Sequence, residues 1–312
     1  MINNKSRVLI AAPVHDVLIK GLTDAGYVCD IHENITQSGA YELIAGCTGV
    51  ITSTRLQLDR TLLDIATDLR WIGRMGSGME VIDVPYAATK GIACYSSPEG
   101  NCNAVGEHAV GMLLDLNRRI TISNREMKNG LWLRNENRGV ELEGKTLGII
   151  GFGHTGRAFA KKMQGFDMEI LIYDKYNSEN LPSYVTNSLH LNKIFSQADV
   201  LSFHVPLQND TIDYFNWEFI LNMNKKFTLI NTSRGQVVNT VALLRGIKEG
   251  RINGACLDVF EQEPLSAMNE ETKRAMSELM EMQNVITTPH IAGYTFEALF
   301  KMSSTLLRKI IN

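Results

Sequence analysis

A glycine-rich turn, Gly-Phe-Gly-His-Thr-Gly at residues 151–156, constrains the fold more than any other feature of the sequence. It directly follows the apolar run Thr146–Ile150, which predicts a buried strand, and it opens a predicted helix over residues 155–164. The spacing G-x-G-x-x-G between a strand and a helix is typical of a βαβ unit that binds a dinucleotide. Asp174 follows at the end of the next predicted strand, 23 residues after the first glycine. The turn and the acid therefore predict a dinucleotide site.

The residues of the turn have separate predicted roles. Gly151 permits the tight turn, Gly153 lets the backbone approach a pyrophosphate, and Gly156 allows the helix to pack closely on the sheet. Backbone N–H groups at the start of the helix, where His154 and Thr155 lie, face the phosphates and are assisted by the helix dipole. We expect the His154 imidazole to face solvent rather than to act in catalysis.

Asp174 decides which dinucleotide is predicted. Its carboxylate can accept both ribose hydroxyls of NAD and would repel the 2′-phosphate of NADP. NAD is therefore the predicted cofactor, although Lys175 beside the acid leaves an opening for NADP. The alternative interpretation is a glycine-rich turn followed by an aspartate that caps a helix.

Short apolar strands alternate with helices on both sides of a long helical pattern over Asn103–Met127, which predicts parallel β-α-β units. About five strands precede this helix and at least six follow it. The length of 312 residues, roughly twice that of a typical domain of about 150 residues, fits two α/β lobes with a cleft. The predicted strands after the helix are 146–150, 169–173, 199–204, 227–231, 255–259 and 284–288, and a last helix spans 296–310.

Charge, hydropathy and cysteine content exclude several classes of partner. The 31 Lys and Arg against 34 Asp and Glu give a net charge of −3, which offers no electrostatic basis for binding nucleic acid. No apolar stretch approaches the roughly 18–20 residues of a membrane span, and residues 1–7 lack the apolar region of a signal peptide. The five scattered cysteines and dispersed histidines predict reduced thiols, no metal site and a cytoplasmic location.

Three further motifs follow predicted strands of the second series. They are Asn-Thr-Ser-Arg-Gly at 231–235, Leu-Asp-Val-Phe-Glu-Gln-Glu-Pro at 257–264 and Thr-Pro-His-Ile-Ala-Gly-Tyr-Thr at 288–295. Ligands of open α/β sheets bind outside the carboxyl ends of the strands, so we expect these motifs to form one site with the glycine turn.

Together the four motifs resemble the D-isomer-specific, NAD-dependent 2-hydroxyacid dehydrogenase family. The resemblance covers nearly the whole chain and is strongest over residues 74–295. It implies two Rossmann-like or flavodoxin-like lobes, with a substrate-binding domain of residues 1–101 and 293–312 and an NAD-binding Rossmann domain of residues 102–292. It also implies hydride transfer between a nicotinamide and a D-2-hydroxy acid.

By the resemblance, Arg234, Glu263 and His290 match the catalytic residues of the family. The chemistry calls for the same residue types, because His exchanges protons near neutral pH and a carboxylate orients the imidazole and stabilises its charged form. An arginine fork grips a carboxylate and polarises the adjacent carbonyl. Without the resemblance, His290 would be interpreted as a loop or capping residue, Arg234 as part of a surface ion pair and Glu263 as part of a proline turn.

The resemblance implies further cofactor contacts. Val105 would lie near the nicotinamide, Asp258 would hold the carboxamide, and the motif His204-Val205-Pro206 would lie beside the adenosine. Tyr294 stands where the family often has a small residue and would reshape the rim of the pocket. The remaining implied contacts are Thr211, Thr232, Ser233 and Gly293.

The implied substrate loop spans residues 74–83 and resembles the family motif R-x-G-x-G-x-D-N-I-D. Backbone N–H groups at Ser77 and Gly78 would bind the substrate carboxylate. Asn101 begins the motif Asn-Cys-Asn-Ala-Val-Gly-Glu-His, which resembles N-x-x-S-V-A-E-H and adds a substrate contact. Glu80-Val81 replaces the usual Asp-Asn, so the hydrogen bonding of this loop departs from the family pattern.

Three arginines favour a phosphorylated substrate. Arg55, Arg74 and Arg134 stand where 3-phosphoglycerate dehydrogenases of the family carry basic residues, and guanidinium binds phosphate bidentately. Arg134 would reach over from the partner subunit of a homodimer, through the arm 124–146 that carries Trp132. The expected reaction is oxidation of D-3-phosphoglycerate in serine biosynthesis, without a C-terminal regulatory domain, since only 20 residues follow Ala292.

Two other functions stay open. One is a glyoxylate, hydroxypyruvate or D-lactate-type reductase, because the arginines could pair with nearby acids instead. The other is an NAD(H)-sensing, corepressor-like binding scaffold. Glu263 beside Pro264 argues against a formate dehydrogenase.

Overall fold

The computed structural model describes residues 6–176 and 179–312. The chain divides into two compact units. We call residues 1–102 with 294–312 the split unit, and residues 103–293 the central unit. Residues 1–5, part of the segment 1–7 in which no signal peptide is expected, lie outside the described residues.

Twelve strands lie within the described ranges. They are β1 (Arg7–Ile10), β2 (Val28–Ile31), β3 (Cys47–Thr52), β4 (Trp71–Arg74), β5 (Ala93–Ser96), β6 (Thr146–Ile150), β7 (Glu169–Tyr173), β8 (Thr186–Asn187), β9 (Val200–Phe203), β10 (Phe227–Asn231), β11 (Ile252–Leu257) and β12 (Val285–Thr287).

Twelve α-helices lie in the same part of the chain. They are α1 (Asp16–Asp24), α2 (Gln37–Leu43), α3 (Arg60–Ile65), α4 (Val84–Thr89), α5 (Pro98–Arg118), α6 (Ile120–Lys128), α7 (His154–Met163), α8 (Leu191–Gln197), α9 (Trp217–Asn222), α10 (Thr240–Lys248), α11 (Glu270–Glu281) and α12 (Phe296–Ile311).

The split unit contains a five-stranded parallel sheet in the order β2-β1-β3-β4-β5, the flavodoxin-like order. Its buried core includes Leu9, Val50 and Ile72 from three neighbouring strands. Helix α12 returns from the far end of the chain to pack on α1, β4 and β5, where Met302 and Leu306 are buried. Both segments of the chain are therefore needed to complete this unit.

The central unit contains a seven-stranded parallel sheet in the order β12-β11-β10-β9-β6-β7-β8. The strand order reverses at β6, whose neighbours are β7 on one side and β9 on the other. Apolar clusters cover both faces of the sheet, including Phe203, Phe215 and Phe227 in one cluster and Phe152 and Phe159 in the other. This is the doubly wound Rossmann arrangement, so the predicted α/β fold is confirmed.

The single long helix predicted over 103–127 is wrong. The chain forms α5 and α6 instead, because Arg119 takes a left-handed backbone conformation at φ 54°. The carboxylate of Asp115 accepts the N–H and the hydroxyl of Thr121, each at 2.7 Å, and so caps the start of α6. The Arg119 guanidinium donates to Asn137 and Gln283. These contacts stabilise the break between α5 and α6, at which the sequence has no proline or glycine.

Candidate active site

His290 and Glu263 form a hydrogen-bonded pair in the central unit. The Nδ1 atom of His290 lies 2.6 Å from Oε2 of Glu263. The other oxygen, Oε1, accepts the backbone N–H of Phe260 at 2.9 Å. Both side chains are partly exposed, His290 at 43% and Glu263 at 33%, so the imidazole can meet a ligand while its partner is held by the backbone.

The pKa of Glu263 reflects two opposing effects. Burial by itself raises the pKa of this carboxyl group. The hydrogen bond and charge of His290, the Phe260 N–H and the charge of Arg234 together outweigh burial, so the pKa ends below its usual value. Glu263 is therefore a carboxylate at neutral pH.

The backbone of His290 is held in a left-handed conformation, at φ 55°. Asp258, fully buried, fixes the segment on both sides of it. Its carboxylate accepts the Thr288 hydroxyl at 2.5 Å and the backbone N–H groups of Ile291 and Ala292 at 2.9 and 2.8 Å. These three hydrogen bonds hold the turn that carries His290, and the predicted contact of Asp258 with the carboxamide stays a prediction.

His108 joins this network from α5. Its Nε2 atom lies 2.9 Å from Oγ1 of Thr288 and 3.7 Å from Oδ1 of Asp258. Sequence reasoning gave His108 no role of its own. The sequence feature that could have identified His108 is the Glu-His pair that ends the motif at 101–108.

Arg234 follows β10 on a turn organised by Asn231. The Asn231 amide donates to the Arg234 carbonyl at 2.9 Å, and its Oδ1 accepts the N–H and hydroxyl of Ser233 at 3.1 and 2.8 Å. The Arg234 guanidinium donates to the Ser233 carbonyl at 2.5 Å. Ser233 is buried, and so is Thr232, whose Oγ1 has no hydrogen-bond partner within the described residues.

Gly235 brings this turn against the turn that carries Glu263. A Cβ atom at residue 235 would lie 1.8 Å from both C and O of Phe260, so only glycine allows this approach. The charge of Arg234 contributes to the lowered pKa of Glu263. The three residues predicted to be catalytic therefore lie on adjoining turns at the carboxyl edge of one sheet.

The glycine turn has the geometry of a nucleotide cradle. Gly151 has φ +92°, and a Cβ on it would lie 2.5 Å from the His204 carbonyl oxygen. A Cβ on Gly156 would lie 2.2 Å from the Gly151 carbonyl oxygen. At Gly153, by contrast, no described atom beyond the neighbouring residues Phe152 and His154 lies within 4 Å of the Cβ position. The turn thus packs tightly on the protein side and is open at the glycine expected to face a pyrophosphate, while His154 and Thr155 begin α7.

Asp174 ends its strand beside this turn. One carboxylate oxygen accepts the Phe152 N–H at 2.5 Å, and the other accepts the Tyr176 N–H at 2.8 Å. These two hydrogen bonds hold the carboxylate beside the glycine turn. These contacts, the open space at Gly153 and the unsatisfied Thr232 hydroxyl fit a bound NAD.

His204 is a buried neutral residue. Its Nε2 lies 2.9 Å from Oγ of Ser202, and its Nδ1 has no partner in the described part of the chain. Burial lowers the pKa of His204 to about 3. The segment after it is fixed by Thr211, whose hydroxyl donates to the Pro206 carbonyl at 2.7 Å. Val205 lies against the glycine turn, 3.0 Å from a Cβ built on Gly151.

Two remaining predicted cofactor contacts lie near the ends of the central unit. Val105 is buried on α5, and Gly293 is the last residue of the unit. Tyr294, predicted to reshape the pocket rim, is 78% exposed in the split unit.

In the split unit, the predicted substrate loop lies at the carboxyl end of β4. The Ser77 hydroxyl donates to Oδ1 of Asn101 at 3.1 Å, which brings these two predicted residues together. Ser97 fastens the base of the loop, because its hydroxyl oxygen accepts the Gly76 N–H at 2.9 Å and donates to the Arg74 carbonyl at 3.2 Å. Gly78 follows within the same loop.

The three predicted arginines have different surroundings. Arg74 is only 7% exposed, its guanidinium donates to the Met75 carbonyl at 2.6 Å, and its NH1 atom lies 1.5 Å from a Cβ built on Gly76. This guanidinium therefore lies under the loop. Arg55 is exposed and donates to the Asn34 side chain at 2.8 Å. Arg134 is exposed in the central unit.

A family comparison decides the identity of the fold. The model for the NAD-binding domain of the D-isomer-specific 2-hydroxyacid dehydrogenases matches residues 110–292, more than half of the chain. The chain belongs to this family. The matched region contains the glycine turn and the His290–Glu263 pair, and the predicted family is confirmed.

Relatives in this family have several names. The chain is 30% identical over 307 residues to a D-3-phosphoglycerate dehydrogenase of Archaeoglobus fulgidus, covering 98% of this chain and 57% of that one. It is 37% identical over 261 residues to a glyoxylate reductase of Thermofilum pendens, covering 82% of this chain and 75% of that one. The chain thus spans little more than half the length of the phosphoglycerate dehydrogenases it matches.

A solved structure gives the same architecture. The D-lactate dehydrogenase of Aquifex aeolicus, crystallised with NAD and lactic acid, superposes with a TM-score of 0.83 at 29% identity, covering 98% of this chain and 94% of that one. No described helix of the present chain is long and apolar enough to cross a membrane. Within the same residues, no group of three or more His, Cys, Asp or Glu side chains could hold a metal ion.

Proposed function

We propose that this chain is an NAD-dependent dehydrogenase that interconverts a D-2-hydroxy acid and its 2-keto acid. The observation that carries the proposal is the 2.6 Å contact between His290 and Glu263, with Arg234 on the adjoining turn. This trio provides a proton acceptor, its supporting carboxylate and a fixed cation at one edge of the NAD-binding sheet.

His290 moves the proton. Its Nδ1 is bound to Glu263, so Nε2 is the atom that faces the substrate hydroxyl and accepts its proton as the C–H bond breaks. The Glu263 carboxylate stabilises the imidazolium formed in this step. In the reverse direction, the same Nε2–H returns the proton to the oxygen of the keto acid.

Arg234 binds the substrate carboxylate and polarises the adjacent carbonyl with its guanidinium. When bound, NAD supplies a hydride acceptor and NADH a hydride donor. The glycine turn would hold the pyrophosphate through the backbone N–H groups at the start of α7, and Asp174 would hold the ribose. Two electrons and one proton leave the hydroxy acid as hydride, and the second proton leaves to His290.

We assign substrate binding to the split unit, approximating the predicted domain of residues 1–101 and 293–312. Support comes from the Ser77–Asn101 contact at the end of β4, next to backbone N–H groups that suit a carboxylate. The proposed substrate is D-3-phosphoglycerate, oxidised to 3-phosphohydroxypyruvate. The proposed phosphate contact is Arg55, which is exposed just after the carboxyl end of β3, the strand that pairs with β4.

A second candidate substrate is a non-phosphorylated acid such as glyoxylate, hydroxypyruvate or lactate. The position of the Arg74 guanidinium under the loop, 7% exposed, favours it, because a buried fork does not reach a phosphate. The two candidates are separated by measuring kcat/KM of wild type and Arg55→Ala on 3-phosphohydroxypyruvate and on hydroxypyruvate. Loss confined to the phosphorylated substrate supports the first, and equal losses on both overturn it.

Turnover itself tests the proposed enzyme against a binding scaffold. We expect NADH to be consumed with at least one of these keto acids, and His290→Asn to slow consumption by about 10²- to 10⁴-fold while NADH still binds. NADH binding without turnover on phosphorylated and plain 2-keto acids would favour a corepressor-like scaffold instead.

We also propose a homodimer formed through the arm after α6. The arm folds back on the α5–α6 junction, since the Val140 N–H donates to the Asn117 carbonyl at 2.9 Å and the Arg119 guanidinium donates to Oδ1 of Asn137 at 3.1 Å. Helix α6 and the arm leave large apolar side chains exposed, and a second copy of the chain would cover them. These side chains are Ile120, Met127, Leu131, Trp132 and Val140.

The partner subunit's Arg134 would then approach the substrate, as the family resemblance implies. We place the enzyme in the cytoplasm. All five cysteines are unpaired thiols, which suits a reducing compartment, and the relatives are metabolic enzymes by name.

A further inference from the structure

An ion pair crosses the carboxyl edge of the central sheet beside the dinucleotide turn. The Nζ atom of Lys175 lies 2.5 Å from Oδ2 of Asp210. Lys175 follows β7 and Asp210 lies in the segment after β9, and these two strands flank β6, the strand that leads into the glycine turn. The pair therefore links the two sides of the edge where the strand order reverses.

The partners are presented by ordered backbone. Lys175 lies between Asp174 and Tyr176, whose N–H is bound by the Asp174 carboxylate at 2.8 Å. Asp210 is held in a turn in which the Thr211 hydroxyl accepts the Gln208 N–H at 2.8 Å. The hydrogen bond between the two side chains raises the pKa of Lys175 and lowers that of Asp210.

The position of Lys175 matters for the choice of cofactor. Asp174 is the acid expected to bind the ribose of NAD, and a 2′-phosphate on that ribose would lie next to it. A cation beside this position attracts the phosphate, whereas a cation already paired with a carboxylate is neutralised. The two side chains are 47% and 45% exposed, so the pair adds little to stability and its effect falls mainly on charged ligands.

We propose that Asp210 is a cofactor-specificity residue, which pairs with Lys175, withholds its ammonium group from a 2′-phosphate and keeps the site selective for NAD(H) over NADP(H). Asp174 supplies direct repulsion, and Asp210 acts through Lys175. This inference rests on the glycine turn binding the dinucleotide, as proposed above.

Dissociation constants of NADH and NADPH, measured by fluorescence of the bound nicotinamide, test the inference without reference to turnover. The measurements form a double-mutant cycle of four proteins, which are wild type, Asp210→Ala, Lys175→Ala and the double variant. The same cycle on an Asp174→Ser background keeps NADPH binding within a measurable range. Circular dichroism and thermal melting verify that each variant is folded.

We expect Asp210→Ala to tighten NADPH binding by about three- to tenfold, with NADH changed by less than about twofold. Most of this gain should vanish in the double variant, and it should weaken as salt is raised, because the freed ammonium is the source of the attraction. Glu169→Gln is the matched control. It breaks the exposed pair between Glu169 and Lys193, 3.1 Å apart, at the start of the same strand β7, and should leave the ratio unchanged.

Three results would overturn the inference. An unchanged NADPH-to-NADH ratio in Asp210→Ala, with normal NADH binding, removes it and leaves the proposed function standing. If the double variant keeps the full gain in NADPH affinity, Asp210 acts through its own charge and not through Lys175. If the wild-type protein binds neither nucleotide, the proposed function and this inference both fail.

Discussion

Oε2 of Glu263 lies 2.6 Å from Nδ1 of His290, while Oε1 of the same carboxylate accepts the N–H of Phe260. The Glu263 carboxylate thus connects the imidazole to the backbone of the turn that carries Glu263. This leaves a single ring nitrogen of His290 for chemistry and fixes its direction.

Removing either partner should slow the chemical step while cofactor binding is retained. We expect His290→Asn to lower kcat by about 10²- to 10⁴-fold, the usual contribution of a positioned acid–base group. Asparagine tolerates the left-handed backbone at this position, so the fold is preserved. Glu263→Gln should also lower kcat, because a neutral amide does not stabilise an imidazolium. Steady-state kinetics and NADH titration measure both quantities.

His190→Asn, an exposed histidine just before α8, is the control for these variants. It should keep wild-type kcat. A His290→Asn enzyme that retains wild-type kcat would refute the assigned proton transfer.

His204 should make the protein less stable in acid. Its folded pKa of about 3 lies below the unfolded value of 6.5, so between these values the unfolded chain binds the proton and the folded chain does not. The contribution of His204 to the free energy of unfolding is therefore fully present above pH 6.5. It decreases as pH falls, by up to about 1.4 kcal/mol per pH unit. Urea unfolding at pH 7, 6 and 5 measures the slope.

His204→Gln keeps a partner for Ser202 and removes the titrating ring. Its stability should fall less steeply with acidification than that of wild type. Parallel curves for the two proteins would show that His204 does not contribute.

Gly235→Ala should damage both stability and catalysis. The added Cβ would lie 1.8 Å from C and O of Phe260, so the turns that carry Arg234 and Glu263 must move apart. We expect a loss of about 1–3 kcal/mol in the free energy of unfolding and a clear fall in kcat. Gly111→Ala on α5 is the control, since no described atom lies within 4 Å of its Cβ position and alanine should stabilise the helix by roughly 0.5–1 kcal/mol. Wild-type activity in Gly235→Ala would show that the spacing of the turns is unimportant.

Trp132→Glu should dissociate the proposed dimer. Trp132 is 73% exposed in the single chain, and a charge in the centre of an apolar contact is costly to bury. Light scattering at micromolar concentration should give a dimer mass for wild type and a monomer mass for the variant. Leu221→Glu, on an exposed position of α9, should stay dimeric. A monomeric wild-type protein would contradict the assignment.

The sequence predicted the regular parts of the fold closely and its irregular parts poorly. Strands β7 and β10 have the predicted bounds, because each has a mainly apolar centre that is followed by a polar residue, Asp174 after β7 and Asn231 at the end of β10. Helix α2 was not predicted, since it is short and polar and buries only Ala40. The break at Arg119 depends on Asn137 and Gln283, which are distant in sequence.

The site shows the same division. The motifs identify which residue types meet at the carboxyl edge, but a motif does not say where a side chain turns. Arg74 lies at a strand end from which a side chain can point outward or under the loop, and packing against Gly76 decides for the latter. The Lys175–Asp210 pair joins positions 35 residues apart, and only the order of the strands brings them together.

The return of α12 to the first sheet has a consequence for how the chain is made. On the ribosome, β1 to β5 are made before the central unit, but Met302 and Leu306, which complete their core, are translated after it. At about 5–20 residues per second, the intervening central unit takes roughly 10–40 s to synthesise. During that interval the nascent first sheet has an uncovered apolar face, while the central unit is already a continuous segment able to form its own core. Chaperone dependence in the cell should therefore originate in this first sheet rather than in the central unit.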